Sequence, residues 1–96
     1  MQFFIYTEDK PDSLDIRQAN RDAHIAWLKT QSDLVKLMTA GPWLDDEDVM
    51  RGSMLIVEAE NKDAVENWLS LDPYRAAGLT ASTLIKAYIW AIGAPT

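Results

Sequence analysis

The order of strand-like and helix-like segments constrains the fold of this chain more than any other feature of its sequence. Runs rich in aromatic and β-branched residues predict four strands, at about 3–7, 34–42, 52–59 and 80–89. Apolar residues at helical spacing predict a helix at about 14–31, capped by Asp12 or Ser13, and another at about 62–70, capped by Asn61. Two helices on one face of an antiparallel sheet, in the order β-α-β-β-α-β, make a ferredoxin-like α+β protomer. We therefore expect residues 1–96 to form one domain of this class.

The predicted strands carry large apolar side chains on both faces. In the first strand Phe3 and Ile5 alternate with Phe4 and Tyr6, and the third and fourth strands show the same two-sided pattern. The helices cover only one face of such a sheet, so a monomer would expose the other apolar face to water. The simplest cover is the same face of a second copy. The sequence thus predicts a homodimer in which two sheets face each other.

Composition and charge exclude several classes of function. The chain has 96 residues, a formal charge of −6 and no cysteine. Without cysteine there are no disulfides, thiolate zinc sites or cysteine nucleophiles. The acidic balance, with no dense basic run, disfavours nucleic acid and anionic membranes as partners.

Location and metal binding follow from the same composition. No apolar stretch approaches the length of a membrane span, and the first residues lack the basic character of a signal peptide, so we expect a cytoplasmic protein. The acidic run at 45–48 lacks the ligand spacing of a calcium loop. We expect a solvated loop at 45–48. We expect no metal site and no organic cofactor in the protein.

The first predicted helix holds His24, which is the single histidine of the chain. At 100° per residue His24 faces inward, and Arg17 and Arg21 share its neighbourhood. Buried arginines are costly without an anion or carboxylate partner. His24 is therefore either a packed structural histidine or a general acid/base, since histidine exchanges protons near neutral pH.

Four short motifs, spread in order over nearly the whole chain, resemble the YciI-like family. They are Arg17-x-x-x-Arg21-x-x-His24, Thr39-Ala-Gly41-Pro42, Gly52-Ser53 and Asp72-Pro73-Tyr74. The resemblance implies a dimeric α/β barrel built from ferredoxin-like protomers. It also implies a His–Asp active site, here His24 and Asp72, and a dehydrochlorinase-type lyase is among the better understood relatives. The short acidic loop at 43–51 and the end of strand four at 86–90 depart from the family pattern, so a relative's substrate does not transfer.

The remaining candidate residues have structural alternatives. Asp72 either forms local turn contacts or orients His24, as the acid of a catalytic triad does. Arg17 and Arg21 either pair with acids such as Asp72 or bind an anionic substrate oxygen, and one of them could do each. Four more residues either shape strand ends and core or line a ligand pocket; they are Gly41, Pro42, Ser53 and Tyr74.

These residues predict a small-molecule enzyme that works by general acid/base chemistry. His24 would move a proton, Asp72 would orient it, and an arginine would hold an anionic or aromatic substrate during elimination, isomerisation or hydrolysis. One alternative is a non-catalytic dimer that binds a small ligand or a protein partner. Another is a cofactor-free monooxygenase of the dimeric barrel type. A solvent-connected pocket containing His24 and Asp72 would favour the enzyme.

Overall fold

The computed structural model describes residues 1–94. Its elements are β1 (Gln2–Asp9), α1 (Leu14–Lys29), β2 (Val35–Leu44), β3 (Met50–Ala59), α2 (Lys62–Leu69), α3 (Pro73–Ala76) and β4 (Thr80–Tyr88). The four strands form one antiparallel sheet in the order β2-β3-β1-β4. The predicted ferredoxin-like α+β fold is confirmed. The sequence also predicts a frayed tail at 93–96, and the last two residues of that tail lie outside the described residues.

The core lies between the helices and one face of the sheet. Alternate residues of the central strands β1 and β3 point into it, as their period of two requires. The core includes Phe3, Ile5, Leu55, Val57, Val65, Trp68 and Leu69, all at most 4% exposed. The opposite sheet face is apolar too, with Leu84 45% exposed and Tyr88 38% exposed.

The sequence predicts that the second strand ends at Gly41-Pro42. In the structure this strand continues to Leu44. Pro42 pairs with Ser53 at the edge of the sheet, where a residue without an N–H can be accommodated. Trp43 then lies over Gly52, and its indole N–H donates a 2.7 Å hydrogen bond to the carbonyl oxygen of Thr7. A Cβ at Gly52 would lie 2.0 Å from both of those atoms, so glycine is required for this close approach.

Two helix predictions need correction. Helix α1 begins after Ser13, but the Ser13 side chain makes no capping bond and instead donates to the carbonyl oxygen of Pro11 at 3.2 Å. The sequence analysis also did not predict α3, which begins directly after Asp72. The Asp72 carboxylate caps α3 by accepting from the backbone N–H of Tyr74, and Pro73 occupies the first turn, where its missing N–H costs nothing. This short helix places Tyr74 against α1.

Candidate active site

The centre of the site is a buried histidine–aspartate pair that joins α1 to the start of α3. His24 Nδ1 lies 2.8 Å from Asp72 Oδ1, and both residues are 6% exposed. An ionised carboxylate can only accept hydrogen bonds, so in a neutral imidazole paired with one, Nδ1 carries the hydrogen and Nε2 carries the lone pair. The same Oδ1 accepts from the backbone N–H of Tyr74 at 2.9 Å. One oxygen thus fixes both the imidazole and the first turn of α3.

The second ring nitrogen of His24, Nε2, differs from Nδ1 in its surroundings. Among residues 1–94, every fully buried side-chain nitrogen or oxygen has a hydrogen-bond partner. His24 Nε2 has no such partner within that range, so it is not fully enclosed by protein. His24 also lines a cavity. This is the arrangement a general base needs, with one nitrogen held by a carboxylate and the other open.

Tyr74 forms a stacked wall beside the imidazole. Its ring centre lies 3.9 Å from that of His24, with 15° between the planes. The guanidinium carbon of Arg17 lies 4.7 Å from the same ring centre, at cation–π distance. Burial raises the pKa of the Tyr74 phenol, and Arg17 opposes that shift. The phenol therefore stays protonated at neutral pH.

Arg17 is committed to structural contacts. Its Nε and Nη2 donate to the two carboxylate oxygens of Asp9 at 2.6 and 2.9 Å, and Nη2 also donates to Ser53 Oγ at 2.9 Å. Burial alone would lower the pKa of Arg17, but the hydrogen bonds and charge of Asp9 raise it overall. The acid that pairs with Arg17 is thus Asp9 and not Asp72. Asp9 is a charged residue of the candidate site that the sequence prediction missed.

Arg21 makes none of the contacts described for Arg17. Its side chain is exposed, lines the cavity and takes part in no salt bridge within the part of the chain that the structure describes. Of the two arginines considered from the sequence, one is therefore internally paired and the other is free to meet a ligand.

The cavity has a volume of about 140 Å³ and lies between α1, α3 and the β2–β3 pair. Its floor consists of buried polar residues, namely Arg17, His24, Ser53 and Tyr74. Its rim consists of exposed residues, namely Arg21, Ala40 and Pro42. The remaining lining residues are Ile25, Leu28, Gly41 and Met50.

Every residue predicted to bind ligand lines this cavity, whereas Asp72 lies behind His24 and does not. The apolar wall residues were not singled out from the sequence, because isolated Ile, Leu and Met positions carry no motif. No group of three or more His, Asp or Glu side chains in residues 1–94 is placed to hold a metal ion. Within that range no helix is long and apolar enough to cross a membrane.

Comparison with known proteins identifies the family. The YCII-related domain matches residues 1–89. Protein YciI of Escherichia coli O6:H1 is 38% identical over 94 residues, covering 92% of this chain and 96% of that protein. The chain belongs to the YCII-related family. An uncharacterised Haemophilus influenzae protein is 36% identical over the same shares of the two chains.

Solved structures agree with this family assignment. The 5-chloro-2-hydroxyhydroquinone dehydrochlorinase TftG from Burkholderia phenoliruptrix AC1100, in complex with 2,5-dihydroxybenzoquinone, is 40% identical with a TM-score of 0.80. The match covers 93% of this YCII-related chain and 94% of TftG. An antibiotic biosynthesis monooxygenase is 11% identical with a TM-score of 0.54, covering 92% of this chain and 97% of its own. That second likeness concerns the fold alone.

Proposed function

We propose that this YCII-related protein is a small-molecule lyase in which His24 takes a proton from the substrate and Asp72 orients His24. The observation that carries the proposal is that the two ring nitrogens of His24 have different surroundings. Its Nδ1 is held by Asp72 at 2.8 Å, while Nε2 has no hydrogen-bond partner among the described residues and His24 lines the cavity. A base placed in this way contributes about 10²–10⁴-fold to the rate of a proton transfer.

The volume of the cavity and the charge of its lining support a substrate with a single ring that carries oxygen atoms. The cavity of about 140 Å³ is close to an engineered cavity of about 150 Å³ that holds benzene in another protein. No carboxylate lines it, and Arg21 contributes a positive charge with no internal partner within the described residues. A guanidinium group suits phenolate or carboxylate oxygens.

The likeness to TftG suggests the reaction. TftG is a dehydrochlorinase of a chlorinated hydroxyhydroquinone. Loss of hydrogen chloride removes one proton and one chloride ion, and the electron pair left by the proton forms the new double bond as chloride departs. A proton acceptor balances this step, and we assign that role to His24 Nε2. We therefore propose elimination from a hydroxylated, halogenated ring as the activity.

The test is chloride release from 5-chloro-2-hydroxyhydroquinone, followed for the wild type, His24→Ala and Asp72→Asn. We expect His24→Ala to lower kcat/KM by about 10²–10⁴-fold. Gln18→Ala, on the exposed side of α1, is the matched control and should keep wild-type rates. Full activity of His24→Ala on any substrate that the wild type converts would refute the mechanism. Tight binding of ring compounds without turnover would favour a ligand-binding protein instead.

We further propose that the protein acts as a homodimer joined through the open sheet face. Phe4 and Tyr6 lie partly exposed on that face and stack at 6.5 Å, and Leu84 and Tyr88 are exposed beside them. Contiguous apolar surface of this kind is rare on monomers. Sedimentation at micromolar concentration should give a species of twice the chain mass, and a stable monomer there would exclude this arrangement.

A further inference from the structure

The hydroxyl group of Tyr74 is a buried polar group that the internal contacts do not use. Tyr74 is only 3% exposed, and no hydrogen bond joins its hydroxyl to any of residues 1–94. Fully buried side-chain oxygens within that range all have partners, so this oxygen retains some contact with open space. Tyr74 lines the cavity, and we take the cavity as the space that this oxygen contacts.

Burial keeps this phenol protonated, so that it remains a hydrogen-bond donor. Burial raises its pKa, and Arg17 and Arg21 are the two positive charges that oppose the shift. Arg17 is already paired with Asp9, so Arg21 is the unpaired cation of this group. A neutral phenol beside an unpaired guanidinium offers two donors to the same region of the cavity.

The position of the phenol is tied to that of the base. The Tyr74 ring stacks on His24, and its backbone N–H shares the Asp72 oxygen that holds His24 Nδ1. Asp72 therefore fixes the positions of both His24 and Tyr74. A substrate that brings a proton to His24 Nε2 meets the Tyr74 hydroxyl in a constant relative position, which is the preorganisation that stabilises developing charge.

We propose that the Tyr74 hydroxyl donates a hydrogen bond to the ring oxygen on which negative charge develops when His24 removes the proton. This inference rests on the proposed function, because it assigns a second contact to the same substrate. No covalent bond to Tyr74 forms and the phenol keeps its proton. Its contribution is greatest when the substrate oxygen is most negative, so it lowers the barrier as well as aiding binding.

The experiment uses Tyr74→Phe, which keeps the ring and its stacking and removes only the hydroxyl. Binding of 4-nitrocatechol is measured by its visible absorption, with 4-nitrotoluene as a ring that lacks hydroxyl groups and is followed by tryptophan fluorescence. A hydrogen bond to a charged oxygen corresponds to a factor of about 10–100 in affinity. We expect Tyr74→Phe to weaken the binding of 4-nitrocatechol by that factor. The binding of 4-nitrotoluene and the melting temperature of the protein should both stay unchanged.

Tyr6→Phe, which removes a phenol on the open sheet face outside the cavity, is the matched control and should leave both affinities unchanged. On a chlorinated substrate that the wild type converts, Tyr74→Phe should lower kcat more than it raises KM. Equal affinities and rates for Tyr74→Phe and wild type would overturn the inference. If the wild type still releases chloride in that case, the proposed function stands. Failure of the wild type to bind 4-nitrocatechol would also overturn it. An equal loss for 4-nitrotoluene would overturn it as well, because the hydroxyl would then be acting through packing.

Discussion

Replacing Asp72 separates the structural role of the site from its proposed chemistry. The carboxylate accepts from His24 Nδ1 at 2.8 Å and from the backbone N–H of Tyr74 at 2.9 Å, both through Oδ1. Asp72→Ala removes both bonds, whereas Asp72→Asn keeps an acceptor oxygen for the helix cap and removes the negative charge. The two variants are therefore expected to differ in stability and to agree in lost activity.

The magnitude follows from the two bonds. Loss of a helix cap costs about 0.5–2 kcal/mol, and loss of a hydrogen bond to a charged group costs about 1.5–3 kcal/mol. Because the bonds share one oxygen they are not independent, and we expect a total near 3 kcal/mol for Asp72→Ala. In a domain of this size 1 kcal/mol corresponds to roughly 4–8 °C. Asp72→Ala should therefore melt about 12–24 °C lower, and Asp72→Asn only about 4–8 °C lower.

Thermal unfolding followed by circular dichroism measures these shifts, and chloride release from the folded variants measures activity. Asp63→Ala is the stability control, since its exposed side chain in the first turn of α2 should change stability by no more than about 0.5 kcal/mol. Both Asp72 variants should lose about tenfold or more in rate, because neither stabilises a protonated imidazole. A melting temperature for Asp72→Ala within about 2 °C of wild type, or equal losses for Asp72→Ala and Asp72→Asn, would refute this division of roles.

Four further substitutions test the framework of the site and of the fold by urea unfolding. Asp9→Asn leaves the buried Arg17 guanidinium without a counter-charge and should cost about 3 kcal/mol; a loss below about 1 kcal/mol would mean that the pair is unimportant. Gly52→Ala places a Cβ 2.0 Å from a backbone oxygen and should destabilise strongly, while Gly41→Ala, with nothing within 4 Å, should be tolerated. Asp48→Gly should stabilise by up to about 1 kcal/mol, because Asp48 has a φ of 62° that costs a residue with a Cβ about 1–2 kcal/mol; lower stability would contradict this.

The fold could be predicted because segment order and alternation are local properties of the sequence. The second strand was predicted too short because Gly41-Pro42 is typical of a strand end, and only the sheet order shows that β2 is an edge strand. Helix α3 was missed because its four residues are too few for helical periodicity. The Asp-Pro pair that begins it does match the N-cap and first-turn preferences of helices.

The site was predictable in part. Helical geometry predicted that His24 faces inward, and it is buried there. Its contact with Asp72 spans 48 residues and could not be derived from spacing; it was expected only from the family resemblance. Asp9 was missed because the first strand was predicted to end at Thr7. Its alternation with Phe3 and Ile5 was the available signal that it faces the helices.

The pairing of charges around the cavity leaves an unpaired positive charge at its rim in a protein that is acidic as a whole. The chain has a net charge of −6, yet the titratable side chains that line the cavity are Arg17, Arg21, His24 and Tyr74, with no carboxylate among them. Asp9 holds Arg17 and Asp72 holds His24, each from outside the lining. These two acids fix the geometry of the floor and offset its charge. We therefore expect the positive charge of Arg21 at the rim to determine which ligands enter. Arg21→Gln should weaken the binding of anionic ring compounds and leave the binding of neutral ones unchanged.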